Sequence, residues 1–131
     1  GEAFLAQNSK QEGVEVLPSG LQYQVLQEVE GEQPGPGAKV TVHYRGTLIS
    51  GQEFDSSYAR GEPTTFALDG VIPGFREGIG LMNTGAKYKL FIPAALGYGE
   101  TGAPGAIGPN ETLIFEVELI AIDAPAEKSE G

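Results

Sequence analysis

The chain has no cysteine and no tryptophan, and only one histidine and one methionine among its 131 residues. Without cysteine there is no disulfide, no thiolate metal site and no cysteine nucleophile, a composition that suits an exported protein and a cytoplasmic one equally. The single histidine, His43, has no second His or Cys with which to complete a metal set. It falls between Val42 and Tyr44 and points away from their shared face, so it reads as a structural or surface residue. Ser56 and Ser57 stand nearby, but no G-x-S-x-G elbow is present, which disfavours a Ser–His hydrolase. Positive charge is scarce: 8 Lys and Arg against 18 Asp and Glu give a formal net charge of −10. Such a balance argues against nucleic acid and anionic membranes as partners, and the Gly-rich loop 97–108 lacks the lysine of a phosphate-binding loop. No apolar run approaches the ~20 residues that span a bilayer, so membrane insertion is not expected. The chain opens on Gly with neither an initiator Met nor a signal peptide, and reads as a mature protein or an excised domain.

What is abundant is turn chemistry, with 20 Gly and 9 Pro in a chain of single-domain length. Residues 3–12 carry a helical pattern, with Gly13 placed for a left-handed C-terminal turn. They offer little to bury, as the tail of a longer helix would, and "VEVLPSG" then marks a break. Alternation predicts strands over 20–29, 38–49, 87–92 and 112–122, with a shorter one at "TTFAL". In the first, Leu21, Tyr23 and Val25 face one way and Gln22 and Gln24 the other. Pro73 ends extended chain, and Phe75, Ile79 and Met82 then recur at helical spacing over about two turns. Gly78 and Gly80 weaken that helix by roughly 1 kcal/mol each relative to Ala, so it needs a sheet to pack on. The final stretch, 123–131, has the composition of a disordered acidic tail. Strands in series with one short helix make an α+β domain, a curved antiparallel sheet over a helix.

Aromatic and apolar residues gather at strand ends and in loops: Tyr44, Phe54, Phe66, Val71, Ile72, Phe75, Tyr98, Ile107 and Phe115. Taken singly, each is a core residue. Their setting changes that reading. "VHYRGTL", "G-x-x-FDSS", "VIPGF", "LGYG" and "TLIFEVEL", in this order, resemble the FKBP-type peptidyl-prolyl cis-trans isomerases over residues 17–122. The leading "GEAFLAQNSKQEGVEVLPSGLQYQVL" resembles the Mip-like bacterial branch, in which a long helix joins an N-terminal dimerisation domain to the isomerase.

The resemblance implies a five- to six-stranded sheet wrapped around the 75–82 helix, with residues 1–16 as the end of the linker helix and its connection. It implies that Tyr44, Phe54, Asp55, Tyr98 and Phe115 are the catalytic set, and that Arg60, Phe66, Val71, Ile72, Phe75 and Ile107 bind substrate. Phe75 would be the pocket floor. The Ile72 N–H and the Tyr98 hydroxyl would bind peptide carbonyls, and Asp55 would be held by Arg60 and the Tyr44 hydroxyl. The implied partners are proline-containing peptides and unfolded chains, together with macrolide inhibitors of the FK506 and rapamycin class. No cofactor or metal is implied. The fragment would be monomeric and the parent a homodimer, in the bacterial periplasm or cytoplasm, with the periplasm favoured. Two departures stand out: Phe75 where the family often has Trp, which implies a deeper or looser floor, and small residues at Ala103 and Ala106 in the rim loop.

Catalysis would need no nucleophile, because a dry cavity disfavours a planar, dipolar amide more than a twisted one. Replacing Asp55 or Phe115 by Ala is expected to slow exchange and leave the fold largely intact. Two other readings use the same aromatics: a chaperone-like domain that holds proline-containing chains with little turnover, and an all-β carbohydrate-binding domain.

Overall fold

A computed structural model describes residues 2–31, 33–34, 38–102, 107–108 and 110–123. In chain order it contains α1 (Glu2–Asn8), β1 (Val14–Val16), β2 (Gln22–Gln27), β3 (Lys39–Leu48), β4 (Glu53–Ser56), α2 (Ser57–Arg60), β5 (Thr64–Ala67), α3 (Pro73–Gly80), β6 (Lys87–Ile92) and β7 (Leu113–Asp123). The strands form one antiparallel sheet in the order β1-β2-β6-β7-β3-β4, with β5 also paired to β3. The α+β class read from the sequence is the architecture found, with seven strands among the described residues.

Two strands were not legible in the sequence. "VEVLPSG" does not break the chain: Val14–Val16 adds an edge strand to β2. The turn behind it is closed by the Leu17 and Gly20 amides, and Gly20 takes φ 98°, where a Cβ would be strained. The second is β4, which is too short to show a period. The helix over 3–12 is also shorter than its pattern, ending at Asn8; Gly13 does take a left-handed φ of 87°, in the turn before β1. Nor is α1 without contacts. Phe4 packs on Phe91 with ring centroids 6.1 Å apart, Asn8 donates to Gln22 Oε1 at 2.8 Å, and Gln22 Nε2 donates to the Leu5 carbonyl at 2.9 Å. Gln22 therefore faces away from Leu21 as the alternation requires, yet it is buried, because α1 covers that side of the sheet.

The inner face carries the core. Val40, Val42 and Tyr44 of β3, Leu90 and Ile92 of β6 and Leu113, Phe115, Val117 and Leu119 of β7 are buried against Phe75, Ile79 and Met82. Pro73 occupies the first turn of α3, where its missing N–H costs nothing. The glycines of α3 do different jobs. A Cβ on Gly74 would lie 2.5 Å from Ile92 and one on Gly78 2.5 Å from Leu90, so both let the helix settle onto β6. At Gly80 a Cβ would meet nothing within 4 Å. The acidic tail predicted over 123–131, apart from the strand end at Asp123, and the rim residues Ala103 and Ala106 lie outside the described residues.

Candidate active site

β3 runs past two separate partners on one of its edges. Its first half, Lys39–Val42, pairs with β5, and Arg45–Thr47 pairs with β4. At the gap between them the Ser57 hydroxyl takes over the ladder's task, accepting the Tyr44 N–H at 2.7 Å. Ser57 is fully buried and also lies 2.7 Å from His43 Nδ1, while the His43 ring stacks on Tyr58 at 4.6 Å. These two residues are thus occupied in joining α2 to β3.

The β3–β4 pairing slips at one point: Gly46 is opposite Asp55, but Thr47 is opposite Glu53. This irregularity places an extra residue, Phe54, in β4 and interrupts the strand's alternation. Phe54 and Asp55, adjacent in sequence, consequently line the same hollow, whereas Glu53 pairs with Arg45 at 2.8 Å. Gly46 makes room for the arrangement, since a Cβ there would lie 2.7 Å from the Phe54 ring and 2.8 Å from that of Phe115.

The hollow has a volume of about 490 Å³ and is lined by Tyr44, Phe54, Asp55, Phe66, Gly70, Val71, Ile72, Phe75, Tyr98, Ile107 and Phe115. Every residue that the resemblance implies as catalytic or substrate-binding lies there except Arg60, which reaches the site through Asp55 and Tyr44. Gly70 was not anticipated; with no side chain, it carried no signal. Phe75 is braced by Phe115 at 4.8 Å, Phe66 at 5.5 Å and Tyr44 at 5.9 Å, and Phe54 meets Phe115 edge-on at 5.4 Å. Tyr98 stands exposed on the rim loop, while Ile107 is buried. Ile72 is the residue that opens α3, its carbonyl accepting from the Phe75 and Arg76 amides.

Phe115 is core as well as wall. It is 6% exposed and sits on β7 between β3 and β6, so truncation to Ala would cost about 3–5 kcal/mol. Phe115→Ala is therefore expected to lower stability as well as exchange.

One charged cluster borders the hollow. Tyr44 donates its hydroxyl to Asp55 Oδ2 at 2.5 Å, and Arg60 Nη1 donates to Asp55 Oδ1 at 2.7 Å. Arg60 Nη2 lies 3.3 Å from the Tyr44 oxygen and 2.8 Å from Thr64 Oγ1. Burial alone would push the Asp55 carboxyl up; the hydrogen bonds from Tyr44 and Arg60, and the guanidinium charge, outweigh it and hold Asp55 below the usual carboxylate range. Burial and the neighbouring carboxylate push the Tyr44 phenol up, so it remains a donor. The site thus combines a ring-lined cavity with one fixed, compensated anion. Among the described residues no group of His, Cys, Asp and Glu could hold a metal ion.

A family model described as FKBP-type peptidyl-prolyl cis-trans isomerase matches residues 30–120, and one described as the domain amino terminal to FKBP-type peptidyl-prolyl isomerase matches residues 1–25. The FKBP-type peptidyl-prolyl cis-trans isomerase FkpA of Aeromonas hydrophila is 54% identical over 126 residues, covering 96% of this chain and 47% of that protein. The outer membrane protein MIP of Legionella longbeachae is 48% identical over 126 residues, covering 96% of this chain and 54% of that protein. The crystal structure of FkpA from Escherichia coli aligns with a TM-score of 0.90 at 48% identity, covering 93% of this chain and 57% of that one. The chain spans about half the length of the curated relatives it matches.

Proposed function

The chain belongs to the FKBP-type peptidyl-prolyl cis-trans isomerases, and on that premise we propose that its hollow accelerates rotation about X–Pro peptide bonds. The observation that carries this reading is a cavity walled by Phe54, Phe66, Phe75 and Phe115 whose one charged lining group, Asp55, is compensated by Arg60 and Tyr44. Rotation of an X–Pro bond is slow, taking tens to hundreds of seconds, because the amide's partial double bond must be broken. A planar amide is strongly dipolar and well hydrated; once twisted, it loses resonance and its carbonyl oxygen loses charge. Rings in place of water therefore disfavour the planar form more than the twisted one, which is differential binding in the direction that speeds exchange. Lowering the barrier by about 5–6 kcal/mol corresponds to roughly ten-thousandfold acceleration.

Specific groups serve that end. The Ile72 N–H precedes the first turn of α3, where intrahelical bonding makes no demand on it, and with the Tyr98 hydroxyl it would fix the peptide's carbonyls. Asp55 would set the field beside the rotating bond, with Tyr44 and Arg60 keeping it ionised. The substrates are proline-containing segments of unfolded or folding chains, and macrolide inhibitors would compete for the same cavity. A reading in which the domain only holds such chains is not favoured by the family to which it belongs. The parent protein would be a homodimer through a segment outside this sequence, and its place outside the cytoplasmic membrane is supported by a relative named as an outer membrane protein. The test is the refolding of a protein whose slow phase is a proline isomerisation. Catalytic amounts of this chain should accelerate that phase alone, and an unchanged phase would remove the proposal.

A further inference from the structure

The charged cluster contains a fourth member that the isomerase reading does not use. Arg60 ends α2, and Gly61, at φ 82°, turns the chain back so that Thr64 begins β5 beside it. Of the two oxygens within reach of Arg60 Nη2, Thr64 Oγ1 is the nearer, at 2.8 Å against 3.3 Å for the Tyr44 hydroxyl. Nη1 meanwhile is held by Asp55 Oδ1 at 2.7 Å. The two ends of the guanidinium are thus pinned by different strands, β4 and β5, which lie one after the other along the same edge of β3 and are not paired to each other.

This matters because the Arg60 side chain is 47% exposed, with the Tyr44 ring centroid 5.7 Å from its guanidinium carbon. A long, flexible arginine loses rotamer entropy when it settles in one pose, and an exposed ion pair alone holds geometry poorly. We infer that the Thr64 hydroxyl is a positioning group for the isomerase site, anchoring the outer end of the Arg60 guanidinium so that its other end stays on Asp55. The role rests on the proposed function only for its effect on turnover; the positioning itself is a property of the folded chain. Among the described residues, the charged and titratable groups that meet Asp55 are Tyr44 of β3 and Arg60 of α2; Thr64 of β5 reaches it only through Arg60, and Glu53 of its own strand pairs with Arg45.

The experiment compares the wild type with Thr64→Val, which keeps the β-branched shape and loses the hydroxyl, and with Thr64→Ser, which keeps the hydroxyl. Three readouts are taken: the rate of guanidinium rotation in Arg60 by NMR, the carboxyl titration of Asp55 by 13C NMR, and X–Pro exchange. Thr64→Val should speed Arg60 rotation about tenfold, move the Asp55 titration upward toward the ordinary range and slow exchange by roughly three- to tenfold, the scale of one lost hydrogen bond. Thr64→Ser should restore all three to within about twofold of wild type. Arg60 rotation and Asp55 titration both unchanged in Thr64→Val would overturn the inference, as would a loss in Thr64→Ser equal to that in Thr64→Val. A wild type that does not catalyse exchange would sink the isomerase proposal instead, leaving the first two readouts to decide the role of Thr64.

Discussion

The Tyr44 phenol and the Asp55 carboxylate meet at 2.5 Å at the wall of the hollow, the phenol donating and the carboxylate accepting. They come from neighbouring strands: Asp55 stands opposite Gly46, two residues along β3 from Tyr44 and on the same face. The partnership compensates a half-exposed carboxylate at the wall of a ring-lined hollow, since even a partly desolvated anion is costly unless hydrogen-bonded and paired.

A pH dependence follows from that pair. The Asp55 pKa is lowered in the folded protein, so its contribution to stability is present above the unfolded value of about 3.9 and is lost as pH falls through the folded value. Asp55→Asn should melt below wild type at pH 7, and the gap should close as pH is taken down through the acid range. A gap that persisted at the most acid pH would mean that Asp55 is not held ionised by its partners. Tyr44→Phe, which keeps the ring, should move the Asp55 13C titration upward and slow exchange by about tenfold, equivalent to ~1.4 kcal/mol.

Gly46 should prove sensitive to the smallest substitution. A methyl group there meets the Phe54 and Phe115 rings below 3 Å; Phe54, only half-buried, is the one able to swing aside. Gly46→Ala is expected to lose peptide binding, seen as a several-fold weaker dissociation constant by titration, while the melting temperature falls by only a few degrees, about 1 kcal/mol.

The glycines of α3 make a paired test. Gly78→Ala drives a methyl group into Leu90 and should cost about 1–3 kcal/mol. Gly80→Ala finds open space and should instead gain up to ~1 kcal/mol from helix propensity. Urea denaturation of the two variants measures both, and equal shifts would contradict the close packing of α3 on β6.

Long alternating segments were legible because burial on one face writes a period into the chain: β2, β3 and β6 fall within the stretches where alternation predicts them, and β7 overruns its own by one residue, Asp123. α3 was legible through Phe75 and Ile79, although it runs from Pro73 to Gly80 and ends before Met82 rather than spanning 75–82. Three-residue β1 and four-residue β4 carry too few positions for a period, and the burial of Gln22 depends on α1 folding over it. Gly78 read from sequence as a cost to the helix, and only Leu90 beneath it shows its use. The site was legible because aromatic residues in motif order carry it. Gly70 and Thr64 were not, one having no side chain and the other an ordinary strand residue whose only mark is a hydrogen bond to Arg60.

The most direct measurement is two-dimensional NMR exchange on a short peptide with an apolar residue before proline, recorded with wild type and with Asp55→Asn. If a dry ring-walled hollow favours the twisted amide, cis and trans signals that do not exchange alone should exchange on the NMR timescale with substoichiometric wild type. Exchange should be roughly tenfold or more slower with the variant. Signals that bind and shift, yet interconvert at the uncatalysed rate at high protein concentration, would contradict it.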